Sequence, residues 1–261
     1  CRDCYKCLKY CPVKAIRFET SASRIVEERC ILCGNCIRVC PQKAKRDISY
    51  LPEVQNLIAS GSKVVASLAP SFVAFFHELE AGRTFSLLRR LGFAHVEETA
   101  MGAYQVAQAT REEVEHSQSF VIGSACPSAV YLIERYFPQY IPNLSRVVSP
   151  AVAHARMIKR HYGEDTKVVF ISPCTAKKRE VFEEQFRGLI DYPISFHELE
   201  HWAGENALNA EAIGAPTAPD RQVPGFARLF PLRGGILKTA GLDDGYTATS
   251  HLSISGAKNI I

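Results

Sequence analysis

Apolar and polar positions change their rhythm along this chain. Residues 15–19 and 24–27 alternate between the two, which predicts two short strands joined by a turn over 20–23. From about residue 50, apolar runs and amphipathic stretches take turns. Residues 52–59 read as a helix, and 63–68 (Lys-Val-Val-Ala-Ser-Leu) as a buried strand ending at Ala69-Pro70-Ser71. Helical text follows through Leu91, then a short strand at 95–97 and a helix over 102–116. Residues 120–123 (Phe-Val-Ile-Gly) read as a second clear strand, ending at Ser124-Ala125-Cys126-Pro127. Helices are expected from there through Tyr136 and over 150–162, with a third strand at 168–171 ending at Ser172-Pro173-Cys174. Strands alternating with helices predict a doubly wound, mostly parallel α/β sheet. The expected organisation is a small α+β domain over 1–48 and an α/β domain over 49–261.

Composition narrows the classes. The chain has 261 residues, 47% hydrophobic and 22% charged, with a formal charge of +4. No long basic run supports nucleic-acid binding; the small patch at Lys43, Lys45 and Arg46 reads as a solvated linker. The longest apolar stretch, 64–76, is too short to span a membrane and is interrupted by Pro70 and Ser71, so no membrane span is expected. The sequence opens on a cysteine motif without an initiating methionine, and so reads as a fragment or processed chain without a signal peptide.

The cysteines change the picture most. Eight of the ten lie in the first forty residues, and only Cys126 and Cys174 follow. A disulfide scaffold would spread them through a small, core-poor chain. Metal ligation in a reducing compartment fits better, and a cytoplasmic location is expected. Cys1, Cys4, Cys7 and Cys11-Pro12 read C-x₂-C-x₂-C-x₃-C-P, and Cys30, Cys33, Cys36 and Cys40-Pro41 repeat it 29 residues on. Three closely spaced cysteines wrap three corners of an iron–sulfur cubane, and the fourth follows on a short helix that the proline ends. In two-cluster ferredoxins of this spacing the fourth cysteine serves the other cluster. Two [4Fe–4S] clusters are therefore expected, one on Cys1, Cys4, Cys7 and Cys40, the other on Cys30, Cys33, Cys36 and Cys11. With the hairpin between the loops, the segment closely resembles a bacterial ferredoxin. Zinc would leave the third cysteine, the C-P ending and the second copy without a purpose.

Cys126 and Cys174 each stand beside a proline at an expected strand end, where open α/β sheets bind ligands. The segment Pro173-Cys174-Thr175-Ala176-Lys177-Lys178-Arg179-Glu180 resembles the P-C-x-x-K-x-x-E motif of [FeFe]-hydrogenases. Gly123-Ser124-Ala125-Cys126-Pro127 is similar to their T-S-C-C-P motif, and Ala69-Pro70-Ser71 to their A-P-[AS] turn. Asn143-Leu144-Ser145, Ser149-Pro150 and the run 230–236 also resemble that family, so the likeness covers nearly the whole chain. It implies that Cys126 and Cys174 ligate the [4Fe–4S] part of an H-cluster, that Lys177 donates to a ligand of its di-iron part, and that Ala69, Pro70 and Ser71 line the same pocket. It further implies proton-handling roles for Glu113, Ser145 and Glu180.

The chain departs from the family pattern in three places. Ala125 replaces the first cysteine of the paired motif, which relays protons, and Thr110 stands where the family has a glutamate. No cysteine follows Cys174, so the third motif, C-x₃-C, is missing and this end too reads as cut short. An H-cluster ([4Fe–4S] plus di-iron) is expected only if the complete chain supplies the missing ligands. Loss of the relay cysteine resembles the sensory hydrogenase-like proteins, in which such domains join PAS, kinase or phosphatase modules. The expected function is a redox or hydrogen-sensing module with weak or no hydrogen turnover, served by an electron donor or acceptor protein. The alternatives are a catalytic iron hydrogenase and a plain electron-transfer subunit. His197-Glu198-Leu199-Glu200-His201 matches a zincin H-E-x-x-H, but Ser195 with Glu198 reads as a capping box on a polar helix.

Overall fold

The computed structural model describes residues 1–242; residues 243–261 of the expected α/β domain lie outside the described part. The first segment holds α1 (Lys6–Tyr10), β1 (Ile16–Glu19), β2 (Ala22–Ile25) and α2 (Asn35–Arg38). Strands β1 and β2 pair antiparallel, from Ile16 opposite Ile25 to Glu19 opposite Ala22. The turn is tighter than expected, because Thr20 and Ser21 both take positive φ (44° and 59°). Two left-handed residues match the twist of the flanking strands and close a hairpin in the fewest steps.

The second region runs α3 (Leu51–Ala59), β3 (Val64–Leu68), α4 (Phe72–Phe75), α5 (Ala81–Arg90), β4 (His95–Glu98), α6 (Ala100–His116), α7 (Pro127–Tyr136) and α8 (Pro150–Tyr162). It continues with β5 (Lys167–Ile171), α9 (Thr175–Glu180), β6 (Tyr192–Ile194), α10 (Phe196–Glu205), α11 (Ala210–Ile213) and α12 (Gly235–Ala240). Four parallel strands form one sheet in the order β4-β3-β5-β6. All of β3 is buried, as is β5 from Val168 on, which is why both read as unbroken apolar runs. Below and above them lie Phe72, Leu87, Leu88, Ile158, Phe196 and Leu199, all nearly inaccessible to solvent. Helices α6 and α8 cross at Gly102: a Cβ there would lie 2.3 Å from the Pro150 carbonyl oxygen and 2.7 Å from the His154 nitrogen. Only glycine permits that approach.

Two expectations need correction. Residues 120–123 are not a strand of the sheet. They make a single parallel bridge, Ile122 to Leu144, and Phe120 is 58% exposed. An apolar run of four with one bridging partner has no ladder to join. Nor is the helical text from Ser71 to Leu91 continuous, since α4 stops at Phe75 and α5 starts at Ala81. Phe72 and Phe76 both plunge into the core, and the chain turns at Phe76 to let Leu79 and Phe85 pack as well.

The H-E-x-x-H stretch lies on α10. Ser195 Oγ accepts from the Glu198 N–H at 3.2 Å, and Glu198 Oε2 accepts from the Ser195 N–H at 2.6 Å. Glu198 also pairs with Lys178 Nζ at 2.7 Å. His197 and His201 point into solvent beside Glu200 and Glu205. The glutamate is occupied as a cap, and no protease centre forms.

Candidate metal centre

The winding of the sheet decides where a site can lie. From β3 the chain moves outward to β4, then returns to the other side of β3 with β5 and continues to β6. The order reverses between β3 and β5, and a crevice opens beyond the carboxyl ends of two strands that part this way. Those ends are Leu68 with Ala69-Pro70-Ser71 and Ile171 with Ser172-Pro173-Cys174, tied by the Ala69 N–H donating to the Ile171 carbonyl at 2.9 Å. Ala69, Pro70, Ser71 and Cys174 therefore share one edge.

Cys126 reaches the same place by another route. It is the N-cap of α7 (φ −103°, ψ 109°), and Cys174 is the N-cap of α9 in nearly the same conformation (φ −98°, ψ 114°). Cys126 lies near enough to Cys174 for its charge to act on that thiol. Burial pushes the Cys174 thiol up, opposed by the backbone N–H and the ammonium of Lys177 and reinforced by Cys126. Lys177 is buried; its Nζ donates to Glu180 Oε2 at 2.7 Å, and Ser149 Oγ donates to the same oxygen at 2.9 Å. Ser149 was not among the expected site residues. It lies 31 positions from Glu180, and no spacing in the sequence announces their contact.

Glu113 and Ser145 form a separate group. Ser145 Oγ donates to Glu113 Oε2, and the Arg146 N–H donates to Oε1 at 2.8 Å. Glu113 lines a cleft of about 400 Å³ together with His116, Asn143 and Arg146. From Ser145 the hydrogen bonds continue to the Val147 N–H at 3.2 Å and from the Val147 carbonyl to Ser124 Oγ at 2.5 Å. The line ends there, at the residue before Ala125. No described hydrogen bond joins it to Lys177, Glu180 and Ser149.

In the first forty residues the repeat extends to the backbone. Positive φ recurs at Asp3 and Leu32 (49° and 55°), at Tyr5 and Gly34 (53° and 70°), and at Lys14 and Lys43 (51° and 47°), each pair 29 residues apart. Left-handed conformations cost non-glycine residues about 1–2 kcal/mol each, so their recurrence marks a backbone shaped for a purpose. Such turns aim successive N–H groups into a concavity that suits the sulfur of a cluster. The Ala15 N–H donates to Cys11 Sγ at 3.2 Å, and the Ala44 N–H to Cys40 Sγ at 3.3 Å, the same contact in both copies.

One thiol of the first copy stands among those of the second. Burial pushes Cys36 up to about 11, with the charges of Cys30, Cys33 and Cys11 adding to it. Cys30 is raised by burial as well, with Cys33 and Cys11 again nearby. Desolvation opposes it, but the N–H groups of Ala44, Lys45 and Gln42 hold the Cys40 thiol below its ordinary value. Cys11 of the first copy therefore stands near Cys30 and Cys36 of the second. Among the described residues, no three His, Cys, Asp or Glu side chains converge on a single metal ion. A cubane asks for something different, one thiolate per iron with N–H groups between them, and this donor set fits it.

The cysteine loops attach to the sheet region through the two helices that start at Cys126 and Cys174. Leu132 of α7 is buried among Cys7, Cys11, Val13, Ile16 and Ile31. Arg135 donates to the Glu27 carbonyl at 2.6 Å and to that of Cys30, and Tyr136 OH to the Arg29 carbonyl at 2.8 Å. On α9, Lys178 Nζ donates to the Ile48 carbonyl at 2.6 Å, and a Cβ on Gly34 would stand 2.9 Å from Thr175 Oγ1.

Comparison with known proteins agrees with this anatomy. Residues 1–44 match the 4Fe-4S dicluster domain, and residues 62–257 the iron only hydrogenase large subunit, C-terminal domain. A subunit of an NADP-reducing hydrogenase from Solidesulfovibrio fructosivorans is 28% identical over 246 residues, 81% of this chain and 42% of the relative. A cytosolic Fe-S cluster assembly factor from Yarrowia lipolytica is 30% identical over 181 residues, 60% of this chain and 37% of the relative. The chain thus spans well under two thirds of either relative. Among solved structures, a variant [FeFe]-hydrogenase from Chlamydomonas reinhardtii shares the fold, with a TM-score of 0.65 at 22% identity over 80% of this chain and 61% of that one. With about three quarters of its length matched by that family's model, the chain is an iron–sulfur redox protein that belongs to the iron only hydrogenase large-subunit family.

Proposed function

We propose that the chain is a redox or hydrogen-sensing module that passes electrons through two [4Fe–4S] clusters toward a hydrogenase-like pocket, with weak or no hydrogen turnover. Residues 1–48 form the electron wire in this reading, and 49–261 the receiving domain. The outer cluster is held by Cys1, Cys4, Cys7 and Cys40, and the inner one by Cys11, Cys30, Cys33 and Cys36. When bound, the cubanes supply one-electron transfer. The chain's own residues set its direction: Arg135 and Tyr136 clamp the inner loop against α7, whose first turn begins at Cys126, and Leu132 packs against residues of both copies. Thiol chemistry of this kind fits a reducing cytoplasm. Signalling modules, fused or associated, complete the reading as its output.

One observation carries the sensory assignment. The hydrogen-bond line from Glu113 through Ser145 runs out at Ser124, and the next side chain toward Cys126 is the methyl group of Ala125. A methyl group neither takes nor gives a proton. Beside Cys174, Lys177 is held by Glu180, which Ser149 holds in turn. Cys126 and Cys174 are two thiols where a cubane needs four ligands. They do not by themselves fit an H-cluster.

The test is hydrogen evolution by the full-length protein after iron–sulfur maturation, with infrared spectra in the region of CO and CN⁻ ligands. The expected outcome is reducible clusters with slow turnover, raised on the order of a hundredfold by Ala125→Cys if a di-iron group is present. Fast turnover by the wild-type protein would overturn the sensory reading in favour of a catalytic hydrogenase. Clusters without CO and CN⁻ bands would leave the plain electron-transfer subunit.

A further inference from the structure

The sheet region lends a cation to the second cysteine loop. Arg135 stands near the end of α7, and its Nη1 donates to two backbone carbonyls of that loop, to Glu27 at 2.6 Å and to Cys30. The guanidinium carbon also lies 5.2 Å from the centroid of the Tyr131 ring, one turn back on the same helix. Tyr131 OH in turn donates to Glu183 Oε1. The residue is exposed, yet three contacts hold its head in one place.

Two carbonyl oxygens alone do not call for a cation. A neutral donor serves the same seam one position on, where Tyr136 OH donates to the Arg29 carbonyl at 2.8 Å and to the Val13 carbonyl at 3.3 Å. What Arg135 adds is a permanent charge, because a guanidinium is not deprotonated in proteins. It lies beside a cysteine of the inner cluster. Burial pushes the Cys30 thiol up and Cys33 and Cys11 push the same way, while the Leu32 N–H and Arg135 pull it down. Lys45 acts in the same sense on Cys36 while donating to the Ser23 carbonyl. Lys45 belongs to the cysteine segment itself, whereas Arg135 comes from the helix that begins at Cys126. Set against Arg135 is Glu134, whose carboxyl is raised by burial and by Glu183 and lowered by Arg135.

We infer that Arg135 sets the reduction potential of the inner cluster, so that the domain receiving the electron also fixes the energy at which it arrives. This role rests on the proposed wire and adds the residue that tunes it. Reduction adds one electron to the cubane and no proton, so the cluster with its thiolates becomes more negative by one charge. A fixed cation nearby stabilises the reduced form more than the oxidised form and raises the potential. The coupling is reciprocal. A reduced cluster attracts Arg135 more strongly, so reduction tightens the grip of α7 on its loop. Exposure leaves part of the field to water and salt, which limits the effect to about tenfold in the one-electron equilibrium, about 59 mV.

The experiment is a redox titration of the iron-loaded full-length protein with dithionite, followed by electron paramagnetic resonance. Cys40→Ser, which takes a ligand from the outer cluster, assigns the inner step. Arg135→Met is expected to lower the inner midpoint by about 59 mV. The outer midpoint stays in place, because both carbonyls that Arg135 holds belong to the second loop. Arg135→Lys keeps the charge and restores most of the shift. Tyr136→Phe removes a seam hydrogen bond without removing charge, so it lowers the thermal midpoint and leaves the inner potential unchanged. The thermal midpoint gained on reduction is smaller in Arg135→Met than in the wild type. Should Arg135→Met lose its iron, Arg135→Gln, which keeps a donor for the carbonyls, carries the same test. An inner midpoint that Arg135→Met leaves alone, or that Tyr136→Phe lowers as far, makes Arg135 a mechanical clamp and overturns the tuning while the wire stands. Wild-type protein without two reducible clusters overturns the wire and the tuning together.

Discussion

Cys1 and Cys4 of the first loop face water, whereas the second loop, although Cys33 is exposed, meets α7 and α9 at Cys30 and Gly34. Both have the same cysteine spacing, the same left-handed positions and the same N–H contact on the fourth thiol. What differs is everything around them. The shared part belongs to cluster binding, and the unshared part gives the wire its two ends. An internal repeat therefore reports a common chemistry, and its asymmetries report the direction in which that chemistry is used.

The sharpest way to break the comparison is to remove the fourth cysteine of each copy. Cys11 is buried in the small core beside Leu132, while Cys40 lies nearer the surface. Cys11→Ser and Cys40→Ser should each remove about half of the iron, since each takes one ligand from one cubane. Ligand binding in such small segments is also folding energy. Cys11→Ser should therefore also loosen the seam with α7 and lower the thermal midpoint clearly further than Cys40→Ser. Iron analysis and circular dichroism melting check this, and equal destabilisation by the two would show that the copies are interchangeable.

Acid should separate the regions at a smaller scale. In the sheet region Glu97 is fully buried and accepts from His154 Nε2 at 2.9 Å, from Tyr162 OH at 2.7 Å and from both arms of Arg221 at 2.6 Å. Burial would raise its pKa, but the hydrogen bonds from His154 and Arg221 outweigh that and lower it from 4.5 to about 2. A depressed carboxylate contributes stability that is complete above about pH 4.5 and is lost as the pH falls toward 2, on the order of 3 kcal/mol. Burial also depresses His154, against the pull of Glu97. The unfolded chain therefore takes up this proton at higher pH than the fold does, so the loss begins as the pH falls below 6.5. Urea denaturation followed by the fluorescence of Trp202, the sole tryptophan and part of the sheet core, should show that decline. Arg221→Ala should steepen the destabilisation at neutral pH by leaving a buried charge unpaired.

Legibility in the sequence followed the same division. Covalent ligand spacing made the cysteine repeat plain, and strands buried on both faces wrote β3 and β5 as apolar runs. The cap of α10 was readable because Ser195 and Glu198 are three residues apart. Residues 120–123 misled because four apolar residues do not say whether a neighbouring strand exists. The switch point between β3 and β5 depends on strand order, and the bond from Ser149 to Glu180 on two helices meeting in space. Neither leaves a local trace. The left-handed positions hid for a related reason, since Tyr5, Lys14 and Leu32 are not the residues by which such backbone is recognised.

Tyr5 and Gly34 put the comparison at a single backbone position. Each precedes its helix in the left-handed region, at φ 53° and 70°. The outer copy can hold a tyrosine there because nothing covers it, and the ring finds Phe18. The inner copy lies against α9, where an added Cβ would meet Thr175 Oγ1 at 2.9 Å and its Cβ at 3.5 Å. Gly34→Ala should therefore cost about 1 kcal/mol or more from the backbone, plus a crowding term from Thr175. Thr175→Ala removes the hydroxyl that lies closest, so the double variant should recover the crowding term and keep the backbone cost. The coupling expected from such a contact is about 0.5 kcal/mol or more, measured as midpoint shifts of the iron-loaded protein in denaturant. Tyr5→Ala changes no backbone preference and meets no neighbour, so it should lose only the ring contact. If the two alanine variants are simply additive, the inner loop does not press on α9, and glycine at that position reflects backbone geometry alone.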